Sequence, residues 1–249
     1  MARAQEWCPD GWDRGTFAHG DHSHAFYTAD RGTPDAPLPT VMLMHEFPGI
    51  SENLVELANV LAADFRVVVP SIVGRDGNPG SLDSARQLCV RRELHVLARD
   101  GVSTSVGWLR DFAHRHVADS SGRSFGVIGL CLTGNFALAL AVDPRVAGAV
   151  VAEPAGMPVR PSGLGLSDQD RAALQQRVGL QVQGYRFRRD CLSPASKLAA
   201  ARELLGDERM RVFTLTSPNQ RKHSTLTGKW RNDGAVANVR AFLRERLAA

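Results

Sequence analysis

Apolar positions along the chain switch between two periods. Val41-Met42-Leu43-Met44 and the stretches 66–69, 125–130 and 146–152 are short continuous apolar runs. Each is bounded by Pro, Gly or polar residues, the pattern of strands buried on both faces. Between them apolar residues recur at helical spacing. Leu54, Leu57, Ala58 and Leu61 follow Ser51, whose side chain suits an N-cap, and Val102, Val106, Leu109, Phe112 and Ala113 mark a helix over 102–116. Further helices are predicted near 82–98 and over 133–142. Segments 16–19 and 23–28 flank His19-Gly20-Asp21 and predict an opening hairpin. Strands at 180–187 and 211–216 enclose a helix that Ser193 caps, Pro194 begins and Gly206 stops. A last helix over 235–247 turns Val236, Val239, Phe242, Leu243 and Leu247 to the sheet. Strands alternating with helices predict an α/β fold, a mostly parallel twisted sheet with helices on both faces. All of 1–249 reads as one domain. The Pro/Gly-rich piece 154–166 and the amphipathic 167–178 form an excursion over the sheet edge, a candidate lid.

Composition narrows the function classes. The chain has 249 residues, 43% hydrophobic and 22% charged, which excludes disordered and fibrous classes. No apolar run approaches the roughly 18 residues of a membrane helix, and the first ten residues, with Arg3, Glu6 and Asp10, lack a signal-peptide core. The expectation is a cytoplasmic protein without a membrane partner, a monomer or small homo-oligomer. A net charge of +4 raises the question of nucleic acid. Arg is nevertheless spread along the chain in short clusters such as Arg91-Arg92 and Arg186-Phe187-Arg188-Arg189, and Lys occurs only at 197, 222 and 229, so no nucleic-acid partner is expected. Cys8, Cys89, Cys131 and Cys191 are too widely spaced for a zinc site and read as free thiols. His19, Asp21, His22 and His24 read as a turn between strands, so neither metal nor cofactor is expected.

The chemistry concentrates in Val127-Ile128-Gly129-Leu130-Cys131-Leu132-Thr133-Gly134. A buried strand runs into a small residue, a nucleophile follows two places later, and a helix begins at once. Such a strand-to-helix elbow lifts the side chain above the sheet, where the helix N-terminus favours a thiolate and a backbone N–H can hold an oxyanion. Thr133 stands where this pattern usually carries Gly, and Gly134 follows one place later. An acid and a histidine are then required further along the chain. Of the eight histidines only His223 lies beyond the elbow. Asp190, after the strand 180–187, is the best-placed acid. Glu153, at the end of 146–152, is its rival, while Asp168 and Asp170 fall in a helix.

Gly-x-Cys-x-x-Gly with a later Asp and His, together with His45-Glu46-Phe47 after an early strand, resembles the dienelactone hydrolase family. The resemblance spans roughly residues 25–245 and implies an α/β-hydrolase fold. It assigns Cys131, Asp190 and His223 to a catalytic triad, makes Glu46 a partner of the thiol that assists its activation, and gives the backbone N–H groups of Phe47 and Leu132 to an oxyanion hole. A carboxylate at an apolar strand end beside Phe47 and Pro48 fits such a role, because burying it without one is costly. His45 reads as a structural or lining residue. On the substrate side Arg91 or Arg92 lies near the family's first carboxylate-binding Arg, but Thr227 falls near the second, and Tyr27 and Tyr185 are the only tyrosines. The implied activity is therefore hydrolysis of a small-molecule ester, lactone or thioester, with the dienelactone itself disfavoured. The alternative is a non-hydrolytic cyclase, isomerase or ligand-binding protein that uses the same pocket.

Overall fold

A computed structural model describes residues 7–20, 22–72, 74, 76–77, 104–118, 123–155, 161–216 and 222–248. The helix expected near 82–98, Cys89, Arg91 and Arg92 lie outside these residues. Eight strands form one sheet: β1 (Asp13–His19), β2 (His22–Ala29), β3 (Thr40–Met44), β4 (Arg66–Pro70), β5 (Phe125–Leu130), β6 (Val146–Ala152), β7 (Gln181–Phe187) and β8 (Met210–Leu215). Their order is β1-β2-β4-β3-β5-β6-β7-β8. The opening hairpin is antiparallel, β2 pairs antiparallel with β4, and every other neighbour is parallel.

The continuous apolar strands are explained by what lies on each face. Side chains alternate across a strand, so Met42, Met44, Val127 and Val151 enter one core while Val41, Leu43, Ile128 and Val150 enter the other. Helices α1 (Glu52–Leu61) and α6 (Asp233–Leu247) cover the second core through Leu54, Leu57, Val239 and Leu243. Helices α2 (Thr104–Phe112), α3 (Gly134–Leu140), α4 (Asp168–Gln176) and α5 (Ala195–Leu205) cover the first. The expected α/β architecture with helices on both faces is thus present.

Local signals place most boundaries. Ser51 accepts a hydrogen bond from Leu54 N as the N-cap of α1, and Gly206 ends α5 at φ 86°. Three expectations need correction. Ser193 does not cap α5, which begins at Ala195 with Pro194 as its cap residue; the Ser193 hydroxyl has no hydrogen-bond partner among the described residues, and its amide donates to Asp190. The helix expected over 102–116 changes after Phe112 into a π-helical turn, Ala113–Val117, and the one expected from Thr133 begins at Gly134 after a 3₁₀ turn, Cys131–Thr133.

Among the described residues no helix is long and apolar enough to cross a membrane. Cys8, Cys131 and Cys191 are free thiols. Among these residues no group of three His, Cys, Asp or Glu side chains is placed to hold a metal. His19 pairs instead with Asp111 at 2.7 Å and His24 packs its ring on Trp108, while Asp21 and the His22 side chain lie outside the described set.

Candidate active site

Parallel strands end on one edge of the sheet, and the loops after β3, β5, β6 and β7 carry Glu46, Cys131, Glu153 and Asp190 there. Because β3, β5 and β6 are neighbours, Glu46, Cys131 and Glu153 stand side by side.

Cys131 sits at φ 54°, a left-handed conformation that non-glycine residues rarely adopt. Holding it costs on the order of 1–3 kcal/mol, and such strain is found where a side chain must be aimed. The elbow can be this tight because Gly129 leaves room. A Cβ there would lie 2.2 Å from Thr133 O and 2.9 Å from Gly134 Cα. Gly134 is needed one turn later, since a Cβ on it would lie 3.1 Å from Pro154 Cα.

Thr133 has a use that glycine could not fill. Its hydroxyl accepts from Leu130 N at 2.9 Å and lies 3.1 Å from Met44 O and 3.2 Å from His45 O. It ties the elbow to the neighbouring strand end from which Glu46 and Phe47 emerge. Thr133→Val leaves the buried Leu130 amide without this acceptor and should cost about 1–3 kcal/mol in urea unfolding, with Thr133→Ser retaining most of the stability.

His223 Nδ1 lies 2.7 Å from Asp190 Oδ2. The other carboxylate oxygen of Asp190 accepts from Leu192 N at 2.9 Å and Ser193 N at 3.2 Å, so the acid is fixed before it meets the imidazole. The opposite nitrogen, Nε2, is buried without a hydrogen-bond partner, and the Cys131 sulfur interacts with this ring. Burial pulls the imidazole pKa down, but the hydrogen bond to Asp190, the neighbouring Cys131 sulfur and the Asp190 charge override it and push the group up to about 11. His223 therefore favours the imidazolium form beside Cys131. Asp190→Asn should lower kcat by about 10²–10⁴-fold, measured as steady-state turnover with far-UV dichroism as the check on folding.

Glu46 is half-buried and accepts from the hydroxyls of Ser224 (to Oε2) and Thr227 (to Oε1). These are its described hydrogen bonds, so its carboxylate is engaged by the segment that follows His223. Sequence reasoning missed Ser224 and Thr225, and named Thr227 only as the residue near the family's second Arg. Their signal is His223-Ser224-Thr225-Leu226-Thr227, three hydroxyls within four residues after the lone late histidine. Glu153, the rival acid, is fully buried and bonds Thr225 rather than His223. Phe47 follows Glu46, and Leu132 is the second residue of the 3₁₀ turn, so their amides emerge from adjacent strand ends on either side of Cys131. His45 is buried: Nδ1 meets Glu46 O at 2.9 Å and Nε2 accepts from Ile72 N at 2.9 Å. Accepting at Nε2 places the proton on Nδ1, and burial lowers the pKa, so this imidazole is neutral. Tyr27 is engaged by Asp76 and Tyr185 by Gln183.

The comparisons with known proteins bear on family and fold. The sequence model of the dienelactone hydrolase family matches residues 26–207. No curated protein matches the chain in sequence. A dienelactone hydrolase-like promiscuous phosphotriesterase from metagenomic libraries superposes with a TM-score of 0.68 at 17% identity, over 94% of this chain and 98% of that one. A Klebsiella pneumoniae subsp. pneumoniae MGH 78578 protein assigned as a dienelactone hydrolase gives 0.63 at 16%, over 96% and 99%. The thioesterase domain of the curacin biosynthetic pathway gives 0.59 at 11%, over 94% and 99%. At these identities the likeness is one of fold, the α/β-hydrolase fold.

Proposed function

The chain belongs to the dienelactone hydrolase family, and on that premise we propose that it hydrolyses a small carboxylic ester or lactone through an acyl group carried on Cys131. The observation that carries this reading is the left-handed Cys131 facing an imidazole whose far nitrogen is held by Asp190.

The Cys131 thiolate attacks the carbonyl carbon and forms the C–S bond. The carbonyl oxygen takes the negative charge and accepts from the amides of Phe47 and Leu132. Collapse breaks the bond to the leaving oxygen, which takes the Nε2 proton of His223. Neutral His223 then removes a proton from water, the hydroxide adds to the thioester, and Cys131 leaves as thiolate while the carboxylic acid departs. Asp190 holds the ring and stabilises each imidazolium. Glu46 acts in this scheme through the hydroxyls it accepts from, and its negative charge stands one strand away from Cys131.

Thr227 occupies the region where the family places a second carboxylate-binding Arg, and its hydroxyl is engaged by Glu46. This supports a substrate whose recognition needs no second guanidinium. The test is a panel of aryl acetates, small lactones, acyl thioesters and an aryl phosphotriester. Turnover of the acyl substrates, lost in step with alkylation of Cys131 by iodoacetamide, is the expected result. Turnover of the phosphotriester alone would overturn the reading.

A further inference from the structure

Glu153 is a carboxyl group without a role in the scheme above, and its placement is unusual. It is fully buried, its backbone is held at φ 36°, and its amide donates to Tyr185 O at 2.7 Å. An acid is seldom buried completely, and a left-handed non-glycine residue marks a side chain aimed at some cost. Oε2 accepts from Thr225 N at 3.0 Å and from the Thr225 hydroxyl, while Oε1 has no partner among the described residues. Thr225 lies two residues beyond His223.

Carboxyl groups from β3 and β6, the strands flanking β5, thus grip successive hydroxyls of one segment. Ser224 and Thr227 go to Glu46, and Thr225 goes to Glu153. The segment they hold delivers His223 over Cys131. We propose that Glu153 is a positioning residue that clamps this segment and so fixes His223 over the nucleophile. The proposal rests on the reading of Cys131, His223 and Asp190 as the reactive set.

Two charged groups act on Glu153: Glu46 from the β3 end and His223 from the clamped segment. Asp190 and Cys131 act in turn on His223. From β7, Tyr185 offers Glu153 its backbone oxygen and turns its hydroxyl to Gln183. Burial and the Glu46 charge raise the acid, and the Thr225 bonds and His223 only partly oppose them, leaving it at about 8. Below that pH the clamp holds one carboxylate and one neutral acid. Above it two carboxylates face each other across the segment; the Thr225 bonds favour the charged form, but burial of the charge and repulsion from Glu46 outweigh them, and the clamp loosens.

The variants are Glu153→Gln, Glu153→Ala and Thr225→Val, with Thr225→Val the milder change should Glu153→Ala fail to fold. Two readouts are followed between pH 6 and 9.5: kcat and KM for an aryl acetate, and the rate of Cys131 alkylation by iodoacetamide. A Gln side chain keeps the oxygen that Thr225 needs and carries no charge. Glu153→Gln should therefore match wild type at pH 7 and lose the wild-type decline near pH 8 in both readouts. Glu153→Ala should lower kcat by about 10–100-fold with KM little changed, as a displaced catalytic group does; Thr225→Val should fall between. Linkage supplies a readout free of activity. The raised pKa contributes stability below about 4.5 that is lost as pH rises through about 8, so Glu153→Gln should gain in Tm over wild type across that window. If Glu153→Gln is as impaired as Glu153→Ala, or keeps the wild-type pH profiles, the proposal is overturned. If wild type cleaves no ester yet the alkylation profiles behave as described, the hydrolase reading fails and the role of Glu153 stands.

Discussion

Replacing Cys131 by alanine should lower kcat for p-nitrophenyl acetate by about 10³-fold or more, with the melting temperature held or slightly raised. In the proposed mechanism nucleophile, base and acid act as a unit, so removing one forfeits nearly all of their joint contribution. Melting should not fall because Cys131 is held at φ 54°, and no described hydrogen bond of the fold depends on its sulfur. Alanine keeps the same Cβ in the same turn. Cys131→Ser is the more informative partner. Its hydroxyl is a far poorer nucleophile beside a histidine matched to a thiolate, so it should keep the fold and recover little of the rate. The alanine variant of Cys8, a half-buried thiol that bonds Trp12 O, should leave turnover unchanged.

The second large effect concerns the elbow itself. Gly129→Ala should destabilise the protein by about 3 kcal/mol and remove most of the activity, because its new methyl meets backbone rather than a movable side chain. The clash is at 2.2 Å with Thr133 O and 2.7 Å with Thr133 C. Relief requires shifting the 3₁₀ turn that aims Cys131 and carries Leu132. Gly179→Ala is the matched control. Nothing lies within 4 Å of its added methyl, and its stability should stay within about 0.5 kcal/mol of wild type in urea unfolding.

Much of the fold was legible because burial writes itself into the chain. β5 and β6, covered on both faces, have no room for polar residues and read as apolar runs. Alternation of strand and helix then gave the architecture. Boundaries that depend on tertiary hydrogen bonds were less legible. Ser193 has the chemistry of an N-cap, but its amide is drawn to Asp190 Oδ1, and α5 starts later. Nothing in the local sequence of His114-Arg115-His116 signals the π-helical turn there.

The site divides in the same way. Cys131 and His223 were visible as a motif and as a lone late histidine. The choice between Asp190 and Glu153 was open in sequence, since each follows an apolar strand. In the structure the imidazole meets Asp190, and Glu153 meets Thr225. The bonds from Ser224 and Thr227 to Glu46 join residues about 180 positions apart, and no periodicity carries that information. The expectation that Thr227 falls near the family's second Arg came from the sequence, whereas the engagement of Thr227 by Glu46 required the fold.

The most direct test of the central claim is to mix the enzyme with p-nitrophenyl acetate, quench with acid on the millisecond-to-second scale, and map the acetyl group by peptide mass. The account predicts acetyl on the peptide containing Cys131, decaying at a rate that sustains steady nitrophenol release, and absent from Cys131→Ala. Sustained release with no acetyl on Cys131 at any time, or wild-type turnover by Cys131→Ala, would contradict it.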